Sequence, residues 1–142
     1  MSQFNKLDLI YAEALALMHK QCFDKAWNKD AFESLLRLPT TCGFLNENAF
    51  ILFSVCDTQA EILTLGVLPK ARKKGLAFEL LTYATQELKK TGVQEIFLDV
   101  NANNLPARKL YEKADFEQIS VRKAYYDEDG KKADALVLKK ML

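Results

Sequence analysis

The amino-acid sequence predicts a single α/β (α+β) domain built on a mixed, mostly antiparallel sheet. Its 142 residues fit one domain, 1–142, and contain no repeat or linker-like stretch. Apolar segments of strand and helix period alternate along the chain. A helical segment lies between two predicted strands in the middle of the sequence, and such a strand–helix–strand unit joins parallel strands. Turn sequences join the other strands, which favours antiparallel pairing.

The first part of the chain is expected to contain a strand, two helices and a hairpin. Residues 4–10 are predicted to form the strand, and residues 11–23 the first helix, because apolar side chains recur at helical spacing. Asn28 is a favourable N-cap for the second helix. The strands 41–45 and 49–55 are separated by an Asn-Glu-Asn turn, so they are predicted to pair as a hairpin.

The rest of the chain is expected to complete a sheet of about seven strands with about four flanking helices. A strand that Pro69 ends, a helix that Gly92 ends and another strand form the crossover. A short helix and two final strands follow. The predicted ranges are 61–68 (strand), 76–90 (helix), 95–100 (strand), 106–114 (helix), and strands 116–121 and 133–138 joined through 125–130.

Composition narrows the class of protein. Lysine and arginine total 20 against 19 aspartate and glutamate residues, so the net charge of +1 predicts neither a nucleic-acid nor a membrane partner. Cys22, Cys42 and Cys56 are far apart and odd in number, so neither a metal site nor a disulfide framework is expected. Free cysteines, together with an N-terminus unlike a signal peptide and the lack of a long apolar segment, predict a cytoplasmic protein.

The segment between the predicted strand 61–68 and the predicted helix 76–90 has the features of an anion-binding loop. N–H groups at a helix N-terminus lack intrahelical partners and attract anions. Gly75 and Ala77 are small enough for a phosphate to approach the backbone. Four basic residues surround them: Lys70, Arg72, Lys73 and Lys74. A solvated basic connection would have the same composition, and the Walker and dinucleotide glycine patterns are absent.

Arg72-x-x-Gly75-x-Ala77, following Leu65-Gly66-Val67, resembles the Q/R-x-x-G-x-G/A motif of the GNAT N-acetyltransferase family. The resemblance implies the GNAT fold and a central strand–loop–helix site for acetyl-CoA as acyl donor, with no metal. In that family the loop binds the pyrophosphate and the preceding strand holds the pantetheine arm. The cofactor-binding residues implied here are Leu65, Gly66, Val67, Arg72, Lys73, Lys74, Gly75, Leu76, Ala77, Phe78 and Asn104.

Residues 98–112, LDVNANNLPARKLYE, look like the family block L-E-V-x-x-x-N-x-x-A-x-x-L-Y-E. The later pattern R-x-x-Y-Y, D-G, D-A is most similar to the ribosomal-protein-alanine N-acetyltransferase subgroup. Asp99 takes the position of the general base, and Tyr111 that of the general acid. Asn104 takes the position of an asparagine that contacts the cofactor. The resemblance thus implies acetyl transfer to a primary amine, with the N-terminal α-amine of a protein as the leading acceptor.

Each of these residues has a structural alternative. Asp99 is one methylene shorter than the family glutamate and would face solvent on an alternating strand. Asn104 would equally cap the helix that Pro106 begins, and Tyr111 would equally belong to the core. Asp115 stands where the family has a helix-ending glycine, so a left-handed backbone is expected there.

Three functions remain open from the sequence. They are acetylation of a protein N-terminus, acetylation of a lysine or small-molecule amine, and acyl-CoA binding without catalysis. Acceptor selectivity is expected to lie in residues 22–38 and 125–132. His19, the single histidine, is expected to have a structural or surface role away from the motifs. A monomer or weak homodimer is expected.

Overall fold

The computed structural model describes residues 2–142, which form seven strands around which four α-helices pack. The strands are β1 (Asn5–Lys6), β2 (Thr41–Leu45), β3 (Ala49–Cys56), β4 (Gln59–Val67), β5 (Glu95–Asn101), β6 (Glu117–Glu128) and β7 (Lys131–Met141). The helices are α1 (Ala12–Cys22), α2 (Lys29–Leu36), α3 (Leu76–Lys90) and α4 (Leu105–Lys113). The predicted α/β class and element order are confirmed.

The strands form one sheet in the order β1-β2-β3-β4-β5-β7-β6. Every neighbouring pair is antiparallel except β4 and β5, which α3 connects as the predicted crossover. The parallel pairing joins only Gln59–Glu61 to Glu95–Phe97. Beyond it the two strands continue without pairing, so the sheet opens into a cleft between Ile62–Val67 and Leu98–Asn101.

A bulge in β4 lies at the start of this cleft. Leu52 of β3 pairs with Thr64 and Phe53 pairs with Ile62, so Leu63 is an extra residue in β4. An extra residue bends a strand and increases its local twist. The bend lies just beyond the last residue of β4 that pairs with β5.

The core lies on both faces of the sheet, and β3 is buried on both sides. Ile51 and Phe53 belong to the cluster that includes the buried side chains of α3 and α4. Phe50 and Leu52 point the other way, into the cluster formed with α1 and α2. A strand covered on both faces has a continuous apolar sequence, which explains the run from residue 49 to residue 53.

The first strand is shorter than predicted. It spans only Asn5–Lys6, and residues Leu9–Tyr11 form a 3-10 turn where the sequence predicted continued strand. The Asp8 carboxylate accepts a hydrogen bond from the Ile10 N–H at 3.0 Å, which stabilises the turn. The apolar residues Leu9 and Ile10 are consequently exposed rather than paired in the sheet.

The last two strands are longer than predicted, which corrects the expected loop over 125–130. β6 reaches Glu128 and β7 begins at Lys131, leaving a two-residue turn at Asp129 and Gly130. Both turn residues have positive φ, 52° and 81°, as a tight hairpin turn with matching twist requires. The aromatic pair Tyr125–Tyr126 therefore lies on a strand.

Gly43 is expected to be the glycine least tolerant of substitution. A Cβ there would lie 2.3 Å from the Ile51 carbonyl oxygen and 2.6 Å from Leu7 Cδ1. Because the nearer atom is backbone, Gly43→Ala must push β2 and β3 apart, and we expect a loss of roughly 1–3 kcal/mol in the free energy of unfolding. Urea unfolding measures this value. Gly130→Ala has no atom within 4 Å of its Cβ but keeps a φ of +81°, so it is the control for backbone strain without a clash and should lose roughly 1–2 kcal/mol; a loss at Gly43 smaller than the loss at Gly130 would contradict the steric argument.

Candidate active site

The predicted anion-binding loop opens at the N-terminus of α3. Pro69–Ala71 form a 3-10 turn after β4, and the chain then passes through positive φ at Lys73 (65°) and Gly75 (77°). Gly75 is the N-cap of α3 and provides no side-chain cap. The first N–H groups of α3 therefore lack the side-chain partner that Asn28 supplies to α2. Backbone N–H groups in such a turn form a concave anion site.

The basic and small residues of the loop are placed as an anion site requires. Arg72, Lys73 and Lys74 are exposed, and nothing lies within 4 Å of a Cβ built on Gly75. Leu76 and Ala77 open the helix and are half-buried against the core. The loop therefore presents positive charge and accessible backbone together.

The backbone of β4 turns two residues toward the cleft. Leu68 donates its N–H to the Asn48 carbonyl at 2.8 Å. Every second residue of an antiparallel strand bonds to the same neighbouring strand, so Gly66 also bonds to β3. Leu65 and Val67 lie in the intervening positions, where N–H and C=O point away from β3. Because β5 has already diverged, the N–H and C=O of Leu65 and the N–H of Val67 face the open cleft and can pair with an extended ligand, whereas the Val67 C=O has partners within the protein.

The Val67 carbonyl is a junction between the loop and the first helix. It accepts a hydrogen bond from Arg72 Nε at 2.9 Å and from the Cys22 thiol at 3.5 Å. Burial raises the pKa of the Cys22 thiol, and Arg72 opposes this only in part. The thiol is therefore protonated at neutral pH, which argues against a covalent acyl-cysteine intermediate.

Asp99 lies on β5 two residues beyond its last pairing with β4. Its carboxylate is half-buried and meets Arg122 at 3.4 Å between Oδ2 and Nη1. Burial, followed by the nearby Asp99 charge, raises the pKa of Tyr126, which is therefore a neutral phenol at neutral pH. The structure thus adds Arg122 and Tyr126 to the predicted base.

Tyr111 lies on the buried face of α4 and is only 7% exposed. Its ring packs edge-on against Phe116, with centroids 5.4 Å apart. Burial raises the pKa of Tyr111 to about 12. The phenol consequently keeps its proton throughout the physiological range and can act as a donor but not as a base.

Two predicted cofactor residues have structural partners. Asn104 caps α4, since its side-chain oxygen accepts from the Ala107 N–H at 3.2 Å. Phe78 is half-buried, and Lys113 Nζ lies 4.3 Å from its ring centroid. Neither contact excludes a cofactor, but each accounts for the residue without one. Asp115 has φ 67°, the left-handed conformation predicted for it.

Strand β6 contains two irregularities that were not predicted, an extra residue at Ile119 and a larger bulge after Arg122. Arg122 pairs with Ala135 and Tyr126 with Ala133, so three residues of β6 oppose the single residue Asp134. The Asp134 carboxylate accepts from the Ala124 N–H at 2.8 Å, where φ is 50°. The signal available in the sequence was this aspartate, since such side chains bond to nearby N–H groups in irregular backbone.

A groove of about 700 Å³ lies beside β4. Residues from both predicted selectivity segments line it, together with the bulge of β4. Its lining residues are His19, Cys22, Phe23, Asp24, Lys25, Trp27, Leu63, Thr64, Tyr126, Asp127, Glu128 and Asp129. The groove therefore connects the diverging strand to the segments expected to select an acceptor.

His19 contradicts one expectation. It was placed away from the motifs, yet it is 3% exposed and its Nε2 lies 3.1 Å from Oγ1 of Thr64 in β4. Helical spacing alone indicated that it lies on the buried side of α1 near Leu15 and Met18.

No cluster of three or more His, Cys, Asp or Glu side chains suited to a metal ion occurs in residues 2–142. In the same described part of the chain, no helix is long and apolar enough to cross a membrane.

The sequence model of the acetyltransferase (GNAT) family matches residues 12–116. The match covers most of the chain, including the loop, Asp99 and Tyr111, so this protein belongs to the GNAT acetyltransferase family. The predicted class, an acetyl-CoA-dependent N-acetyltransferase, is thereby confirmed.

Known relatives refine this class. The chain is 32% identical over 99 residues to the ribosomal protein bS18-alanine N-acetyltransferase of Haemophilus ducreyi, covering 67% of this chain and 68% of that protein. It is also 32% identical over 90 residues to the enzyme of the same name from Escherichia coli K12, covering 63% of this chain and 61% of that protein. The aligned stretches thus span less than two thirds of some of these relatives.

A solved structure shows the same fold. The crystal structure of ribosomal-protein-S18-alanine N-acetyltransferase from Escherichia coli superposes with a TM-score of 0.89. The superposition covers 99% of this chain and 94% of that chain at 24% sequence identity. The predicted GNAT fold is confirmed.

Proposed function

We propose that this chain transfers an acetyl group from acetyl-CoA to the N-terminal α-amine of a protein. The observation that carries the proposal is the cleft between β4 and β5, because backbone groups of Leu65 and Val67 point away from β3 and face into it. The uncapped start of α3 lies beyond the end of β4, and the groove lies beside its bulge. One strand thus joins an anion site for the donor to an open site for the acceptor.

The donor site is proposed to hold acetyl-CoA in two parts. The N–H groups at the start of α3 and the side chains of Arg72, Lys73 and Lys74 bind the pyrophosphate. The extended arm lies along β4 and pairs with the backbone of Leu65 and Val67. Phe78 and Asn104 complete the proposed cofactor contacts at the starts of α3 and α4.

The reaction is proposed to be direct attack of the amine on the thioester. Asp99 accepts the ammonium proton directly or through water, and the neutral nitrogen bonds to the acetyl carbon. The Val67 N–H stabilises the oxyanion that forms on the carbonyl oxygen. The carbon–sulfur bond then breaks as Tyr111 protonates the departing thiolate. The nitrogen releases its second proton, which returns through solvent to the Tyr111 phenolate, and Asp99 gives its proton to solvent; the products are an amide and free CoA.

An α-amine fits this machinery better than a lysine side chain. The ordinary pKa of an α-amine is near ~8, against ~10.4 for lysine, so the α-amine needs less help to lose its proton at neutral pH. The hairpin side of the groove has Asp127, Glu128 and Asp129, which attract an approaching ammonium group. Both features support a protein N-terminus as the acceptor.

The experiment begins with the donor. Acetyl-CoA at ~100 times its Kd should stabilise the protein by roughly 2.7 kcal/mol and raise its melting temperature. Thiol release is then measured with matched peptides that differ only in the N-terminus, free or blocked, and with lysine-containing and small-molecule amines. Release only with free N-termini supports the proposal. Preference for the other amines, or binding without release, supports one of the two alternatives.

The cytoplasmic location and the monomeric or weakly dimeric state remain predictions. Fractionation of cells that produce the full chain tests the first, and light scattering at several protein concentrations tests the second.

A further inference from the structure

We infer that His19 is a positioning residue for the acceptor, a role that rests on the proposed function. Its imidazole ties the loop between α1 and α2 to the bulged strand β4, and so fixes the wall of the groove beside the acyl site. The ring does not touch the reacting atoms, because both of its nitrogens are used within the protein.

The hydrogen bonds of the ring define its tautomer. The backbone N–H of Trp27 donates to Nδ1 at 3.0 Å, so Nδ1 carries no proton. The neutral ring therefore has its proton on Nε2, which donates to the Thr64 hydroxyl at 3.1 Å. One ring thus joins the loop to the sheet through two directional contacts.

Aromatic packing holds the ring in place. The Trp27 ring stacks on His19 with centroids 4.9 Å apart and planes inclined by 20°. Phe23 lies 4.4 Å away, and Phe32 and Phe50 pack on the remaining sides. Burial lowers the pKa of His19, so the ring is neutral at neutral pH.

The Thr64 contact places this anchor at the most sensitive point of β4. Thr64 follows the extra residue Leu63 and precedes Leu65, whose backbone faces the cleft. Phe23 and Trp27 line the groove at the other end of the connection. The distance between acceptor wall and acyl strand therefore depends on His19.

Protonation would break one of the two contacts, because a proton on Nδ1 meets the Trp27 N–H donor. The charged and titratable groups that share the groove are Cys22 of α1, Asp24 and Lys25 of the loop, and Tyr126, Asp127, Glu128 and Asp129 of the hairpin. Since burial holds the pKa of His19 below its ordinary value of ~6.5, the neutral contacts persist through that pH and are lost only as pH falls through the lower pKa of the folded protein.

The chain contains one tryptophan and one histidine, and they stack, so fluorescence reports directly on this contact. We expect the Trp27 emission of the native protein to change on acidification below pH ~6.5. The circular dichroism spectrum should remain that of the folded protein. His19→Phe keeps an aromatic ring and should abolish that change. An identical titration in His19→Phe would overturn the assignment of the neutral ring as the anchor.

Kinetics with the best peptide of the acceptor panel test the positioning role. His19→Phe and the isosteric Thr64→Val should raise the KM for the peptide about tenfold and leave the KM for acetyl-CoA within about twofold. His19→Gln, which keeps a donor for Thr64, should recover part of the loss. Leu45→Ala, a buried change in the same cluster on β2, is the control for general destabilisation.

The outcomes separate the two proposals. If the native protein acetylates none of the amines in the panel, the proposed function is overturned, and this inference with it. If the native protein is active and the KM for the peptide is unchanged in both His19→Phe and Thr64→Val, only the positioning role is overturned. An equal rise in the KM for the peptide and the KM for acetyl-CoA, matched by Leu45→Ala, would also overturn it, because that pattern indicates only lost stability.

Discussion

Replacing Tyr111 by phenylalanine is expected to lower kcat by about 10²–10⁴-fold, the usual contribution of a general acid. The phenol is the proposed donor to the CoA thiolate, and phenylalanine removes only its oxygen. The ring still packs against Phe116, so stability and the affinity for acetyl-CoA should change little. Steady-state kinetics, thermal unfolding and acetyl-CoA binding measure the three quantities separately.

The raised pKa of Tyr111 makes a second part of this prediction. A group with a pKa of about 12 is almost fully protonated throughout the neutral and mildly alkaline range, so its ionisation cannot produce a fall in rate there. Any such fall near neutral pH must come from another group and should persist in Tyr111→Phe. Tyr125→Phe, on the exposed side of the same active-site region, is the control. Unchanged kcat in Tyr111→Phe would remove Tyr111 from the mechanism.

Substitutions at Asp99 are expected to have the next largest effect. Asp99→Asn removes the proposed proton acceptor while keeping the shape of the side chain, and should lower kcat by about 10²-fold or more. Asp99→Glu restores the family residue and lengthens the side chain by one methylene. If the short side chain works through a water molecule, Asp99→Glu should keep or raise kcat.

Arg122 decides how the Asp99 series is interpreted. The guanidinium lies 3.4 Å from the carboxylate and both side chains are partly exposed, so the pair contributes little to stability. Arg122→Gln should therefore leave the melting temperature nearly unchanged while it alters kcat, because it removes the partner that orients the Asp99 carboxylate. Native kcat in Asp99→Asn would mean that another group, or solvent, accepts the amine proton.

The sequence by itself determined the local features of this protein. The Asn28 cap, the Asn-rich hairpin turn and the left-handed Asp115 depend on side chains that bond or bend their own neighbouring backbone. The anion loop is similarly local, since a glycine, basic residues and a helix start are adjacent in the chain. The spacing of the motif residues then produced the resemblance to the GNAT family, and that resemblance implies which residues bind the donor.

The tertiary structure decided the groove that is proposed for the acceptor. Helical and strand periods do not reveal an extra residue, so the bulge at Leu63 and the one opposite Asp134 emerged only from the register of paired strands. The contact of Asp99 with Arg122 crosses strands that pair through β7, and that of His19 with Thr64 joins residues 45 positions apart. Such contacts depend on how the sheet folds back on itself, which no local pattern specifies.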